Sequence, residues 1–180
     1  MTKETNIKRD ISLPDGVTAS LENDILHISG EKGELDRVFS HPDFTFSVAN
    51  NTITINCARF RRKQKALLGT FIAHMNNMIR GVTEGFEYKM KTVYSHFPIK
   101  TNVEGNMFVI QNFLGERSPR KALILDGVSV EAKGDDVMVN GIDKEKVGQT
   151  VANIERATKV KRRDIRVFQD GIYRTSKGGS

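Results

Sequence analysis

Residue types that point to particular protein classes are scarce in this chain of 180 residues. Cys57 is the single cysteine, so no internal disulfide can form, which fits a reducing compartment. There is no tryptophan, and no apolar run approaches the roughly 20 residues that cross a bilayer. The first six residues lead into no hydrophobic signal segment. We therefore expect a cytoplasmic protein that neither spans a membrane nor depends on disulfides.

The residue sets that carry common enzymatic chemistry are also missing. His27, His41, His74 and His96 lie far apart and show no metal-ligand spacing with Cys57 or with one another. The sequence contains no Gly-x-Ser-x-Gly motif, no glycine-rich phosphate loop and no dinucleotide-binding fingerprint. We therefore predict a protein that is not an enzyme and has no catalytic residues, metal, cofactor or small-molecule substrate.

One short segment occurs twice, 111 positions apart. Asp15–Gly30 and Asp126–Gly141 share five identical residues in sixteen positions. Each copy starts with an Asp-Gly turn and continues as alternating apolar residues, a tight polar turn and a second alternating run. This pattern is typical of a β-hairpin.

Two helical segments also match each other, at an offset of 79. Leu68–Met75 and Val147–Ile154 both place apolar residues at helical spacing, which predicts one apolar stripe on each helix. Asp143 is a suitable N-cap for the second helix, and Gly81 is a plausible stop for the first.

The remaining apolar runs complete two similar units. They predict further strands at Phe44–Val48, Thr52–Ile55, Tyr88–Ser95, Met107–Phe113 and Lys121–Leu125. We predict an α+β fold of two tandem duplicated domains, residues 1–82 and 83–180. Each has an antiparallel-rich β-sheet with one long helix packed on one face.

Positive charge is concentrated at the carboxyl-terminal end. Arg156–Ser180 holds eight basic and two acidic residues, a net +6 that equals the charge of the whole chain. Such a localised field attracts polyanions, of which nucleic acid is the commonest. The alternatives are a solvated run that keeps the protein soluble and a surface that binds an acidic protein.

This basic run supplies the first set of candidate contacts with nucleic acid. The residues are Lys159, Lys161, Arg162, Arg163, Arg166, Tyr173, Arg174 and Lys177. Ile165, Val167 and Phe168 are the apolar anchors nearby, and Phe168 is expected in the core. Tyr173 is a candidate for stacking on an exposed base, although a structural role is equally open. The tail from Thr175 onward is expected to be disordered without a partner.

Two further basic clusters complete the candidate sites. The loop Asn112–Lys121 carries Arg117, Arg120 and Lys121. A weaker anion site opens the first helix, where no Ser, Thr, Asp or Asn caps the free N–H groups. A bound phosphate would satisfy both charge and donors there; solvated side chains are the alternative. That set comprises Arg59, Arg61, Arg62, Lys63 and Lys65.

Several of these segments together resemble one protein family. Asp164–Tyr173, Gly141–Ile154 and Asn112–Arg120 are similar to the archaeal and eukaryotic branch of the large-subunit ribosomal protein L six family. Leu13–Val17 and Gly30–Leu35 match the opening of its first domain. The similarity spans nearly the whole chain in the same order.

The resemblance implies a duplicated α+β protein of the large ribosomal subunit in the cytoplasm. It implies binding to large-subunit, 23S-type rRNA, chiefly through the second domain, beside neighbouring large-subunit proteins. The expected place is near the sarcin–ricin loop and the stalk base, where translational GTPases dock. Arg174 and Arg156 depart from the family pattern towards more positive charge. The alternative function is a basic protein-interaction module for an acidic partner.

Overall fold

The chain forms two compact units, one ending at Glu84 and the other starting at Gly85. A computed structural model describes residues 7–58 and 61–177, residue 177 by its backbone only. Within the described residues, each unit contains one long helix and antiparallel strands. The predicted α+β fold with a duplicated architecture is therefore confirmed.

In the described part of the first unit, six strands form two three-stranded antiparallel sheets, in the orders β1-β6-β5 and β2-β3-β4. The strands are β1 (Ile7–Ser12), β2 (Thr18–Glu22), β3 (Ile25–Gly30), β4 (Gly33–Val38), β5 (Phe44–Ala49) and β6 (Thr52–Cys57). Both predicted hairpins are present, as β2-β3 and β5-β6. The sequence did not predict β1 and β4.

The helix of this unit, α1 (Arg62–Thr83), packs on β3 and β4. Leu68, Met75 and Ile79 of the predicted stripe are buried, as expected for an apolar helix face on a sheet. They share one core with Ile28 and Ile55 of the sheets. Cys57, 1% exposed, is also part of this core, so it is a small buried residue as predicted.

The predicted end of α1 at Gly81 is wrong. The helix continues to Thr83, and the N–H of Glu84 donates to the carbonyl of Arg80. Gly81 and Val82 are buried inside the helix, whereas Gly85 adopts φ +75°. Glycine has no Cβ, so it adopts the left-handed conformation that ends helices without a steric cost. The chain therefore turns at Gly85, after the apolar stripe ends, and not at Gly81.

Up to Lys177, where the described residues end, the second unit has seven strands in two antiparallel sheets, in the orders β10-β9-β8 and β11-β12-β7-β13. The strands are β7 (Phe86–Val93), β8 (Lys100–Glu104), β9 (Met107–Gln111), β10 (Arg120–Leu123), β11 (Val128–Lys133), β12 (Asp136–Gly141) and β13 (Gly171–Lys177). β11-β12 is the predicted second copy of the repeated hairpin.

The second helix, α2 (Lys144–Ala157), contacts β7, β10, β12 and β13. Its stripe of Val147, Val151 and Ile154 is buried, as predicted. Asp143 is the N-cap, because its carboxylate accepts hydrogen bonds from the backbone N–H groups of Glu145 (2.8 Å) and of the next residue (3.4 Å). These features position the end of α2 against the edge strand β13.

The carboxyl-terminal segment is more ordered than predicted. The tail was expected to be disordered from Thr175, but β13 continues through Lys177 and pairs with β7. The Thr175 hydroxyl also donates to the carbonyl of Lys89, 3.1 Å away. Strand pairing satisfies backbone groups that a free tail would leave to water, which explains the difference. Residues 178–180 of the predicted tail lie outside the described residues.

Candidate nucleic-acid interface

Between α2 and β13 the basic run forms an irregular segment. Asp164 lies at the centre of this segment and organises it. The Asp164 carbonyl accepts hydrogen bonds from the N–H groups of Val167 (3.1 Å) and Phe168 (2.9 Å). Its carboxylate accepts from the backbone N–H and the guanidinium of Arg166. These hydrogen bonds lower the pKa of Asp164. The segment is thus held in one tight turn.

Arg162 lies in a strained backbone conformation within this run. Its φ is +58°, a region in which most residues with a Cβ are rare. Such a residue costs of order 1 kcal/mol and persists when the surrounding structure holds it there. The side chain of Arg162 is exposed. The backbone turn therefore sets the point from which the Arg162 side chain extends into solvent.

Phe168 connects the basic run to the core. Its ring stacks against His96 with a centroid distance of 5.2 Å and packs against the core of the unit. On the same ring lies the guanidinium of Arg163, 4.7 Å from the centroid. Phe168 was predicted in the core; it is partly buried and packs against the core from outside. Ile165 and Val167, expected as anchors, are instead 69% and 60% exposed.

Arg120 differs from the other cations of the loop because its guanidinium bonds within the protein. It binds the Glu116 carboxylate through two hydrogen bonds of 2.8 and 2.6 Å. Nη1 also donates to the carbonyls of Ala157 (2.9 Å) and Lys159 (3.1 Å), and the group lies 4.2 Å from the centre of the Phe113 ring. Arg120 was predicted as an RNA contact, but these bonds give it a positioning role: it joins the loop to the end of α2.

The ion pair at Glu116 predicts a dependence of stability on pH. Hydrogen bonds from Arg120, with further attraction from Arg163, lower the pKa of Glu116 from its usual 4.5. A carboxyl whose pKa falls on folding stabilises the protein above its unfolded pKa, and this contribution is lost as pH falls through the folded pKa. The free energy of unfolding should therefore decrease as pH falls from 4.5, and Glu116→Gln should remove part of that decrease.

Chemical denaturation of the full chain at pH 6 and at stepwise lower pH would measure this effect. Glu131→Gln is a suitable control, because Glu131 is an exposed carboxylate whose ion pair is with Lys133, two residues further along the same strand. An equal change in the pH profile for both variants would contradict the role of Glu116.

The fold brings the loop cluster and the carboxyl-terminal basic run together. Arg120 bonds to the carbonyls of Ala157 and Lys159, so the loop lies beside the start of the basic run. The backbone N–H of Arg174 donates to the Glu155 carboxylate, 3.1 Å away, which places β13 beside the same helix end. The basic surface of the second unit is the set of exposed cations in these segments: Arg117, Lys121, Arg156, Lys159, Lys161, Arg162, Arg163, Arg166 and Arg174.

Sequence reasoning did not include Arg156 among the contacts. It lies in the last turn of α2, and its place at the start of the basic run was the available signal. Among the cations that the sequence did single out, Arg166 is 86% exposed but paired with Asp164. The side chain of Lys177 lies outside the described residues.

Tyr173 lies flat against its own strand. Its hydroxyl donates to the carbonyl of Gln169, 3.0 Å away. The ring covers Gly171, where an added Cβ would fall 2.9 Å from a ring carbon. The side chain is nevertheless 48% exposed. One aromatic face is thus available beside the basic run, in a fixed orientation.

The start of α1 has the helix-end features that suggested an anion site, and the structure adds one acidic neighbour. Arg61 is the N-cap and makes no side-chain capping bond, and the first turn contains no acidic residue. However, Gln64 donates to the Asp43 carboxylate, 2.9 Å away, which brings a negative charge near the cluster. Arg61, Arg62, Lys63 and Lys65 are exposed, and Arg59 lies outside the described residues.

Other site types receive no support from the described part of the chain. Within residues 7–58 and 61–177, no group of three or more His, Cys, Asp or Glu side chains could hold a metal ion. None of the described helices is long and apolar enough to cross a membrane.

Comparison with known proteins is consistent with the two-unit architecture. The family described as Ribosomal protein L6 matches residues 13–85 and again residues 97–171. The chain is 48% identical to "Large ribosomal subunit protein uL6" of Methanosarcina mazei, over 98% of this chain and 99% of that protein. Proteins of the same name from Methanobrevibacter smithii (47%, over 95% and 96%) and Aeropyrum pernix (48%, over 96% of each chain) are similarly close. The chain therefore belongs to the ribosomal protein L6 family.

Proposed function

We propose that this protein is a structural constituent of the large ribosomal subunit in the cytoplasm that binds 23S-type rRNA. The observation that carries the proposal is the basic surface of the second unit, where the fold gathers exposed cations from a loop, a helix end and an irregular segment. The family is one of structural, non-enzymatic proteins, in agreement with the missing catalytic sets.

The mechanism is electrostatic and geometric. Arg and Lys side chains neutralise phosphates and release counterions, which supplies affinity without reading sequence. Paired RNA offers little sequence information, because the A-form major groove hides base edges from side chains. Rigidity then matters, and three contacts provide it: the Asp164 turn, the bonds of Arg120 and the stacking of Arg163 on Phe168.

The two domains contribute unequally in this proposal. The second domain, residues 83–180, carries the main rRNA surface, including Tyr173 and the strand that contains Lys177. The first domain, residues 1–82, contributes the weaker set at the start of α1, where Asp43 reduces the local positive charge. Arg59 and Lys65 belong to that set.

The finer location follows from the sequence resemblance. We place the protein near the sarcin–ricin loop and the stalk base of the large subunit, beside neighbouring ribosomal proteins and the docking site of translational GTPases. The relatives are named as large-subunit proteins, and these names support the assignment to the large subunit.

Hydroxyl-radical footprinting of the full chain on large-subunit rRNA tests the proposal. Backbone protection should appear in a few segments around the sarcin–ricin loop and the stalk base, and small-subunit rRNA should show no discrete footprint. Protection elsewhere in the large-subunit rRNA would contradict the location.

A basic module for an acidic protein partner is the rival function. It predicts no discrete footprint on either rRNA, because attraction to RNA would then be only a general charge effect. That result would overturn rRNA binding as the function of the basic surface.

A further inference from the structure

An open groove of about 670 Å³ lies in the second unit, between the last turns of α2, the basic run and β13. Its apolar lining comes from Ala152 on the helix, Val160, Ile165 and Phe168 in the basic run, and Ile172 on the strand. Pockets of this size hold small organic groups.

Several polar groups in and beside the groove are already bonded within the protein. The Thr158 hydroxyl donates to the carbonyls of Ile154 and Glu155 and accepts from the N–H of Ile172, 3.1 Å away. The Glu155 carboxylate accepts from the backbone N–H of Arg174. The groove therefore offers apolar surface for a ligand to cover.

Exposed apolar side chains at the groove indicate that something covers it. Ile165 is 69% exposed, although Val160 and Phe168 pack against the apolar core and Ile172 belongs to it. The ring of Tyr173 is 48% exposed and held by its hydroxyl bond to Gln169. A ligand that buries these surfaces gains hydrophobic free energy with little loss of side-chain freedom at the ring.

Charge at the edge of the groove defines the ligand further. Arg156 and Lys159 line it beside the apolar residues, and further cations of the basic run follow directly. The acidic side chain in the lining, Glu155, accepts a hydrogen bond from the backbone N–H of Arg174, which holds one of its carboxylate oxygens towards β13. A ligand with a flat apolar part next to an anionic part matches this arrangement, and a nucleotide has both.

We propose that the groove receives the base of one unpaired rRNA nucleotide. The base packs against Tyr173 and Ile165, and the flanking phosphates contact Arg156 and Lys159. The inference rests on the proposed rRNA binding and refines it, because it names the RNA element: a bulge, loop or end with a base that is free of the helical stack. Such bases are the usual points at which proteins recognise RNA by stacking.

Two kinds of chemical probing separate this inference from rRNA binding itself. Hydroxyl radicals report protection of the sugar backbone, whereas base-specific reagents report protection of an unpaired base. With the native full chain and large-subunit rRNA, at least one unpaired base inside the backbone footprint should be protected. Ala152→Leu should fill the groove from the helix side and exclude the base. The protein concentration for half-protection of that base should then be at least about fivefold higher than the concentration for half-protection of the backbone.

A second variant avoids any change on the helix. Ile165→Ala shortens an exposed side chain in the groove and should shift base protection in the same direction. Val167→Ala is the matched control, since Val167 is a comparably exposed apolar residue of the same turn but lies outside the groove lining. With Val167→Ala, half-protection of the base and half-protection of the backbone should require the same concentration of protein. Circular dichroism of each variant verifies folding.

The outcomes distinguish the two proposals. If base protection follows backbone protection in both groove variants, the groove does not hold a base. If the footprint contains no protected unpaired base, the nucleotide assignment is also overturned, and an apolar side chain of a neighbouring protein becomes the better occupant. If no backbone footprint forms at all, the proposed function itself fails.

Discussion

Replacing Lys161, Arg162 and Arg163 together should reduce the slope of log K against log salt for rRNA binding by about 2 to 3. Each phosphate contact contributes roughly 0.7 to 0.9 to that slope through counterion release. Alanine suits positions 161 and 163, but glycine suits 162, where φ is +58°. Glycine at position 162 removes the charge and fits the left-handed backbone, so this substitution does not strain the turn.

Filter binding of large-subunit rRNA between about 50 and 200 mM salt measures the slope. The matched control is the triple alanine variant of Arg61, Arg62 and Lys63, which removes the same charge from the first unit. Its slope should change less, because Asp43 lies near that cluster and fewer contacts are expected there. An unchanged slope in the first variant, or an equal change in both, would remove Lys161–Arg163 from the interface.

The parts of the fold that the sequence predicted are those whose signals are local. Both copies of the hairpin follow from an Asp-Gly turn and alternating apolar residues, and Gly16 and Gly127 take φ values of +84° and +81°. The helix stripes follow from spacing alone, and Asp143 follows from cap chemistry. These residues determine their own backbone conformation with little help from distant contacts.

Two strands that the sequence did not predict, β4 and β13, have no continuous apolar pattern of their own. In β4, acidic residues Glu34 and Asp36 alternate with Leu35 and Arg37, so only one clearly apolar residue faces inward. In β13, most residues are polar, and the composition indicated a disordered tail. Both become strands because a neighbouring strand supplies the hydrogen bonds: β3 for β4, and β7 for β13. Composition carries no information about that pairing.

The same distinction applies to the basic surface. Clustering of charge was visible in the sequence, and the described cations of the clusters are exposed apart from Arg120, which is partly buried. Their individual roles were not visible. Arg120 bonds to carbonyls of Ala157 and Lys159, and carbonyls carry no residue-type signal. Only the folded chain shows that this arginine joins two segments.

The glycines that end the repeated hairpins have a steric cause that the sequence could not show. A Cβ at Gly30 would lie 2.8 Å from a methyl carbon and 2.9 Å from the carbonyl oxygen of Val82. A Cβ at Gly141 would lie 2.7 Å from a methyl carbon of Val147 and 3.1 Å from the carbonyl oxygen of Gly127. In both units a helix valine approaches the hairpin backbone closely, Val82 in the last turn of α1 and Val147 in the first turn of α2.

Gly141→Ala should therefore lower the free energy of unfolding by about 1 to 3 kcal/mol, the usual cost of overpacking a core. Val147 cannot move aside easily, since it is fully buried and a β-branched side chain in a helix has one strongly preferred rotamer.

Gly148→Ala is the matched control: it is the same substitution within α2, and no atom lies within 4 Å of the added Cβ. It should raise the free energy of unfolding by about 0.5 to 1 kcal/mol, because alanine loses less backbone entropy in a helix. Urea denaturation of the two variants should give shifts of opposite sign, and a stabilising Gly141→Ala would show that the hairpin and α2 do not meet as closely as the structure has them.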